Sequence, residues 1–237
     1  MAIYVQIGAG AGDKDPRANF RDGFTEFVKK KKKNLKDKII LVEANPLNTP
    51  KLRECWKKYS NAKIFNIAIV PDNIGKKKIK LFYSKSDRPH FQVASISKKH
   101  VEQFYPTSSI KEIEIKTYKI SKFLKEFTVN NIIEYLALDV EAIDFEILIG
   151  FNLKNFNIKN ISIETLHMNR LKKKRLAKHL LKNGFVYNGK GFDTNGYDTL
   201  FSKSNNFFSR IKTRIKYRLL YWYWINQKIM NYKKLGN

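Results

Sequence analysis

Tyr4-Val5-Gln6-Ile7-Gly8-Ala9-Gly10-Ala11-Gly12-Asp13 is an apolar run that ends in glycines at every second position, and about thirty residues later a second apolar run, Ile39-Ile40-Leu41-Val42, ends on Glu43. An apolar run of this kind predicts a buried strand, Ile3 to Ile7. Gly8, Gly10 and Gly12 then let the backbone turn tightly and approach a ligand where a Cβ would collide. An acid closing the next strand can accept hydrogen bonds from ribose hydroxyls. The spacing departs from the dinucleotide fingerprint, which is GxGxxG with its acid about twenty residues on. Here the pattern is GxGxG and the gap is longer. Both features point to an adenosyl cofactor without a pyrophosphate, such as S-adenosylmethionine; the plain alternative is a flexible N-terminal turn.

A chain of 237 residues buries roughly 70% of its unfolded surface, enough for one good core. Residues 1–202 are expected to form that domain and 203–237 an appendage. The single cysteine, Cys55, sits near Leu52 and Trp56, which excludes disulfides within the monomer and favours core filling in a reducing compartment. No apolar run approaches membrane-spanning length, so a cytoplasmic protein, soluble or membrane-peripheral, is expected. The formal charge of +26 draws polyanions and anionic membranes. Lysine-rich coating of a surface has the same composition without any specific ligand.

Five apolar runs, Ile3-Ile7, Ile39-Val42, Ile64-Ile69, Tyr135-Leu138 and Ile161-Ile163, alternate with helical periodicity. Asn19 to Val28 is expected as the first crossover helix, through Phe20, Phe24 and Phe27, with the lysines from Lys29 to Lys33 as its solvated end. Asn45-Pro46 is expected to open the second helix, Pro46 standing where a missing N–H costs little. Further helices are expected through Ile120, Phe123, Leu124 and Phe127 and over Leu171 to Leu181. Gly184-Tyr187 and Tyr197-Phe201 read as closing antiparallel strands. The fold class is therefore α/β, a Rossmann-like, seven-stranded, mostly parallel sheet with helices on both faces. Ser84 to Ser109 lacks periodicity and is long enough to be functional, as an active-site loop over cofactor or substrate.

The densest chemistry is Asp139-Val140-Glu141-Ala142-Ile143-Asp144. Asp139 ends a strand, where α/β sheets bind ligands, and three carboxylates within six residues raise one another's pKa unless a cation, a donor or solvent relieves them. Capping by Asp144 and solvent exposure of Glu141 are the bland alternatives. Glu164-Thr165-Leu166-His167 follows the next apolar run; if the two strands are parallel neighbours, Glu164 and His167 reach the edge that carries Asp139. His167 is then a candidate base for an alcohol, or simply a surface or capping histidine.

This ordered set resembles the FkbM-type family of S-adenosylmethionine-dependent methyltransferases, many of them O-methyltransferases. The resemblance lies in Val5 to Asp13, in Leu41-Val42-Glu43-Ala44-Asn45-Pro46, in Ile67-Ala68-Ile69 before Asp72, in Leu138-Asp139-Val140-Glu141 through Gly150, and in Ile163-Glu164. It implies a class I methyltransferase fold in which Gly8, Ala9, Gly10, Gly12 and Asp13 hold the methionine part of S-adenosylmethionine. Glu43 and Ala44 would lie at the ribose, and Asn66 or Asp72 near the adenine. Asp139 would border the reacting centre and touch the cofactor, with Glu141 and Glu164 orienting polar groups and His167 as base. Where the family usually has Lys-Ile-Asp-Val-Glu-Gly, this chain has Ala137 for the lysine and Ala142 for the glycine. A base at position 137 is thus lost, and the turn after Glu141 must accommodate a Cβ.

O-methylation of a hydroxyl on a sugar, glycan or small molecule is the expected function. No metal-ligand set is readable, although paired carboxylates could hold a divalent ion that acidifies an alcohol. RNA methylation, and a non-catalytic basic module binding membrane or nucleic acid, are the alternatives. In 203–237 nine Lys and Arg residues accompany Ile211, Ile215, Leu219, Trp222, Ile225 and Ile229 at helical spacing and the aromatic run Tyr221 to Trp224. Such a helix can lie on an anionic membrane, pack on its own domain, or pack on a second subunit of a homo-oligomer.

Overall fold

A computed structural model describes residues 1–13, 22–31, 37–84, 93–128, 132–192 and 197–217. Its centre is β1 (Ala2–Ile7), flanked in parallel by β2 (Lys38–Val42) and by β8 (Ile132–Leu138). β3 (Ala62–Phe65) extends one side, and β9 (Ile158–Glu164) the other, both parallel. The sheet is completed by β11 (Asp198–Lys203), antiparallel to β9, and β10 (Phe185–Lys190), antiparallel to β11. The seven-stranded order is β10-β11-β9-β8-β1-β2-β3, the arrangement of a class I, Rossmann-like methyltransferase sheet. The strand order reverses at β1, and ligands bind at such a switch point beyond the carboxyl ends of the strands.

Both faces of the sheet are covered, which is why its strands are continuously apolar. Ile3, Val5 and Ile7 point into one core with Phe123, Leu124, Ile147, Leu148, Leu176 and Leu180. Those partners come from α4 (Ile120–Thr128), α5 (Asp144–Ile149) and α6 (Arg170–Lys182). Tyr4, Ile39 and Leu41 point the other way, onto Phe24 and Val28 of α1 (Gly23–Lys31) and Leu52 and Trp56 of α2 (Thr49–Trp56). Burying each such side chain stabilises the fold by about 1.5–3 kcal/mol.

Three boundaries differ from expectation, each for a local reason. The second helix begins at Thr49, with Pro50 in its first turn rather than Pro46; Asn45 to Asn48 form a turn instead, closed by the Asn48 N–H donating to the Asn45 carbonyl. The run Ile64-Ile69 is two strands, β3 and β4 (Ala68–Val70), which belong to different sheets. Of the first crossover helix, residues 14–21 lie outside the described residues, and α1 reaches Lys31.

A second sheet, of order β4-β7-β5-β6, is inserted between β3 and β8 and uses β5 (Lys78–Ser84), β6 (Ala94–Ser95) and β7 (Ile110–Lys119). Within the segment expected as an irregular active-site loop, 93–109, the chain forms β6, the short helix α3 (Lys98–Val101) and a turn of 3-10 helix at Thr107–Ser109. Residues 85–92 lie outside the described residues.

Past β11, residues 207–217 are helical and dock on the closing strands. The buried Thr213 hydroxyl accepts from the Tyr187 N–H at 3.0 Å, and Tyr217 stacks on Phe201. Phe207 and Phe208 stay exposed. Residues 218–237, including Tyr221 to Trp224, lie outside the described residues. Among the described residues no helix is long and apolar enough to cross a membrane.

Candidate active site

A cleft opens at the carboxyl ends of β1, β2 and β8, where sheets of this kind bind ligands. Ile7, Val42, Ile67, Ile69, Leu81 and Ile143 give it apolar walls, while Gly8, Gly10, Glu43, Asn48, Ser95, Asp139 and Glu141 bring polar atoms. Among the described residues no Lys or Arg lines it, and Glu43, Asp139 and Glu141 do.

At the turn after β1, Gly8 has φ +86°, and a Cβ there would stand 1.5 Å from the Asp139 carbonyl oxygen. Only glycine lets β1 and β8 close side by side at this point. Gly10, at φ +54°, donates its N–H to Glu43 Oε2 at 2.7 Å. Glu43 Oε1 accepts from the Asn45 N–H at 2.6 Å. Burial raises the Glu43 carboxyl to about 7, and these hydrogen bonds oppose the rise. A carboxylate has about four acceptor positions, so Glu43 keeps capacity for a ligand hydroxyl in the cleft.

The other expected cofactor residues divide into cleft and support. Ala44 lines the cleft, whereas Ala9, Gly12, Asp13, Asn66 and Asp72 do not. Ala9 is buried in the core under α1 and α2, and Gly12, at φ +61°, faces Cys55, whose Sγ would lie 2.7 Å from an added Cβ. Asp13 pairs with Lys29 at 2.6 Å. The Asn66 amide donates to the carbonyls of Glu43 and Ala44 at 2.8 and 3.1 Å, which steadies the strand end carrying the acid and explains why β3 stops at Phe65. Asp72 accepts from the Ser121 N–H at 3.0 Å and from its hydroxyl, capping α4.

The opposite end of the cleft is built by β8 and β9. Leu138 pairs with Ile163, so Asp139 and Glu164 leave the sheet from the ends of neighbouring strands. Burial, then each other's charge, pushes Asp139 well above the usual carboxylate range; burial, then Glu141 and Asp144, raises Glu164 to about 9. Asp144 is buried, is raised to about 7 by burial, and accepts from the Val140 N–H at 2.9 Å, tying the turn together. Glu141 and Ala142 take φ +54° and +88°. The family's usual glycine at 142 fits that conformation, and here alanine holds it.

That turn aims Glu141 at two imidazoles. His100 Nε2 lies 2.8 Å from Glu141 Oε2, and His167 Nε2 lies 3.7 Å from the same oxygen and 3.4 Å from Glu164 Oε1. The rings of His100 and His167 meet edge to face at 4.8 Å. Burial lowers the His167 pKa, Glu141 opposing, which favours a neutral imidazole. Asp139, Glu141, Glu164 and His167 are thus brought together. His100 is an addition to the set expected from sequence. It arrives on α3, whose first turn is capped by Ser97, and the segment is pinned by the Ser95 hydroxyl donating to the Glu141 carbonyl at 2.7 Å.

A glycine turn at the switch strand, a buried acid on the next strand and an acidic end to β8 define a S-adenosylmethionine-dependent methyltransferase domain. The chain belongs to the FkbM methyltransferase family: the profile described as "Methyltransferase FkbM domain" matches residues 6–187. No curated protein matches it. Among solved structures it is similar to the fibrillarin pre-rRNA processing protein of Methanococcus jannaschii, at 13% identity over 86% of this chain and 67% of that one, with a TM-score of 0.40. It is also similar to Aeropyrum pernix fibrillarin in complex with S-adenosyl-L-methionine (11% identity, 85% and 64% covered, TM-score 0.41). Precorrin-6y C5,15-methyltransferase of Geobacter metallireducens is a third (10%, 87% and 80%, 0.40). The chain spans about two thirds of the length of the two fibrillarins.

Proposed function

We propose that this protein transfers the methyl group of S-adenosylmethionine to a hydroxyl of a sugar, glycan or small molecule. The observation that carries the proposal is the polarity of the cleft: an acceptor for ribose hydroxyls at Glu43, apolar walls, and a cluster of acids and imidazoles at the far end, with no cationic side chain lining it among the described residues. The residues fit the cofactor, because Gly10 lines the cleft with open space where a side chain would stand and Glu43 keeps unused acceptor capacity. When bound, S-adenosylmethionine supplies an electrophilic methyl on a sulfonium cation. Glu43 holds the ribose, and the acidic cleft favours the positive charge. Asp139 borders the reacting centre, while Glu141 and Glu164 fix the orientation of His100 and His167.

His167, its imidazole kept neutral by burial, would take the proton of the acceptor hydroxyl as the cofactor's methyl group is transferred to the oxygen. Alignment and exclusion of water supply most of the acceleration. A polyanionic acceptor such as RNA suits the lysine-rich exterior but not this cleft, where its phosphates would meet carboxylates. Transfer of labelled methyl from S-adenosylmethionine should therefore appear with glycans or small polyols. Transfer to RNA alone, or failure of S-adenosylmethionine to bind in calorimetry, would overturn the proposal.

A further inference from the structure

We infer that His100, Glu141 and His167 form a binding site for one divalent transition-metal ion at the acceptor end of the cleft. The inference rests on the methyl-transfer reading only for its purpose, not for its geometry. Two imidazole nitrogens and one carboxylate oxygen lie within 4.8 Å of one another. A tetrahedral ion with ligands at about 2.0–2.1 Å spaces them about 3.3 Å apart, and the separations of 2.8 and 3.7 Å from Glu141 Oε2 straddle that value.

The donors come from three separate elements, and each is held. His100 is buried on α3, whose first turn Ser97 caps. Glu141 stands in a left-handed turn whose carbonyl is fixed by Ser95. His167 follows β9, its ring packed edge to face on His100 and Phe104, and Glu164 Oε1 lies 3.4 Å from the same Nε2. An ion at this place takes the Nε2 lone pair of His100, in the tautomer that carries its hydrogen on Nδ1. Imidazole-rich sets favour zinc, cobalt or iron over magnesium or calcium. Two imidazoles and one carboxylate leave a fourth position open, as in sites that act on a bound oxygen.

The ion would hold the acceptor hydroxyl in that position and lower its pKa, its proton leaving to water. With the ion in place His167 is a ligand, and the ion rather than the imidazole ionises the alcohol.

The test is titration of the full chain, stripped with chelator, with cobalt(II), read by visible absorption, and with zinc chloride, read by calorimetry. One ion per chain is expected, with the intense visible bands of a four- or five-coordinate site. His167→Asn and Glu141→Gln should each weaken binding at least tenfold; His100→Ala should do so as well, and the other two serve if this buried change impairs folding. Cys55→Ser and His179→Ala should leave binding as in the wild type. Equal binding by wild type and His167→Asn, loss confined to Cys55→Ser, or no stoichiometric binding would overturn the site. S-adenosylmethionine is titrated into the same samples with and without zinc. Cofactor binding without metal binding defeats this inference alone, and metal binding without cofactor binding defeats the methyl-transfer reading alone.

Discussion

The two ends of the cleft are made of different materials. The glycine end is backbone, with one carboxylate gripped by the N–H groups of Gly10 and Asn45. The β8–β9 end is side chain: four acids and two imidazoles, with Asp139 and Glu164 pushed up in pKa by burial and Glu141 held in a left-handed turn. Backbone recognition is rigid and tolerates little substitution, which suits a cofactor of constant shape. Side-chain recognition titrates and can be re-tuned, which suits an acceptor and its chemistry.

The largest effect expected from that contrast lies within the glycine turn. Gly8→Ala would drive a Cβ into the Asp139 carbonyl, backbone against backbone at φ +86°, and should cost about 3 kcal/mol or more in urea unfolding. Gly10→Ala meets nothing within 4 Å and should cost only about 1–2 kcal/mol, the strain of a left-handed alanine. Equal costs would mean that the close approach of β1 to β8 does not set the turn.

Next comes the division between binding and turnover. Glu43→Ala removes the carboxylate proposed to accept from the ribose and should weaken S-adenosylmethionine binding about 10–100-fold, as expected for hydrogen bonds to a charged group. Glu141→Gln should leave that affinity nearly unchanged and reduce kcat by about 10²–10⁴-fold. Calorimetry and labelled methyl transfer read the two separately. A Glu43 variant that binds normally would dissolve the contrast.

The glycine end was far more legible in the sequence than the acidic end. The seven-stranded sheet announces itself through uninterrupted apolar runs, because strands buried on both faces need no alternation, and the turn and Glu43 follow directly from where those runs stop. Asp139 and Glu164 were legible for the same reason. His100 was not, because its place depends on pairing between β5 and β6 and on the Ser95 contact with Glu141, neither of which leaves a periodic trace. The one local signal was Ser97 ahead of Lys98-Lys99-His100-Val101, a helix cap that puts His100 and Val101 on the buried side. Asp72 and Asn66 were visible as polar residues at strand ends, but their hydrogen bonds to Ser121 and to the Glu43 carbonyl depend on tertiary packing.

The acidic end should also reveal itself in the pH dependence of stability. Glu164 is raised from 4.5 to about 9 in the folded chain, so the native state carries an extra proton between those values. Stability from this group is fully present below about pH 4.5 and is lost as pH rises toward 9. Rising pH also trims the large positive charge, which acts in the opposite sense, so the comparison must be with Glu164→Gln rather than with a fixed curve. From pH 6 to 8.5 the variant should gain on the wild type by on the order of 1–3 kcal/mol in unfolding free energy. Parallel curves would show that Glu164 is already ionised in the fold.

The smallest effect sits at the hinge between the two ends. Ala142 adopts φ +88°, where an L residue with a Cβ is strained by about 1–2 kcal/mol. Replacing it with glycine relieves that strain but loosens the unfolded chain, a loss of about 0.5–1 kcal/mol. The balance favours Ala142→Gly by roughly 0.5–1 kcal/mol. If the Cβ also helps to hold Glu141 toward the imidazoles, the more stable variant should turn over more slowly while S-adenosylmethionine affinity stays constant. A gain in stability with unchanged kcat would make the alanine a neutral tenant of the turn, and a loss of stability would show that its Cβ packs favourably enough to outweigh the strain.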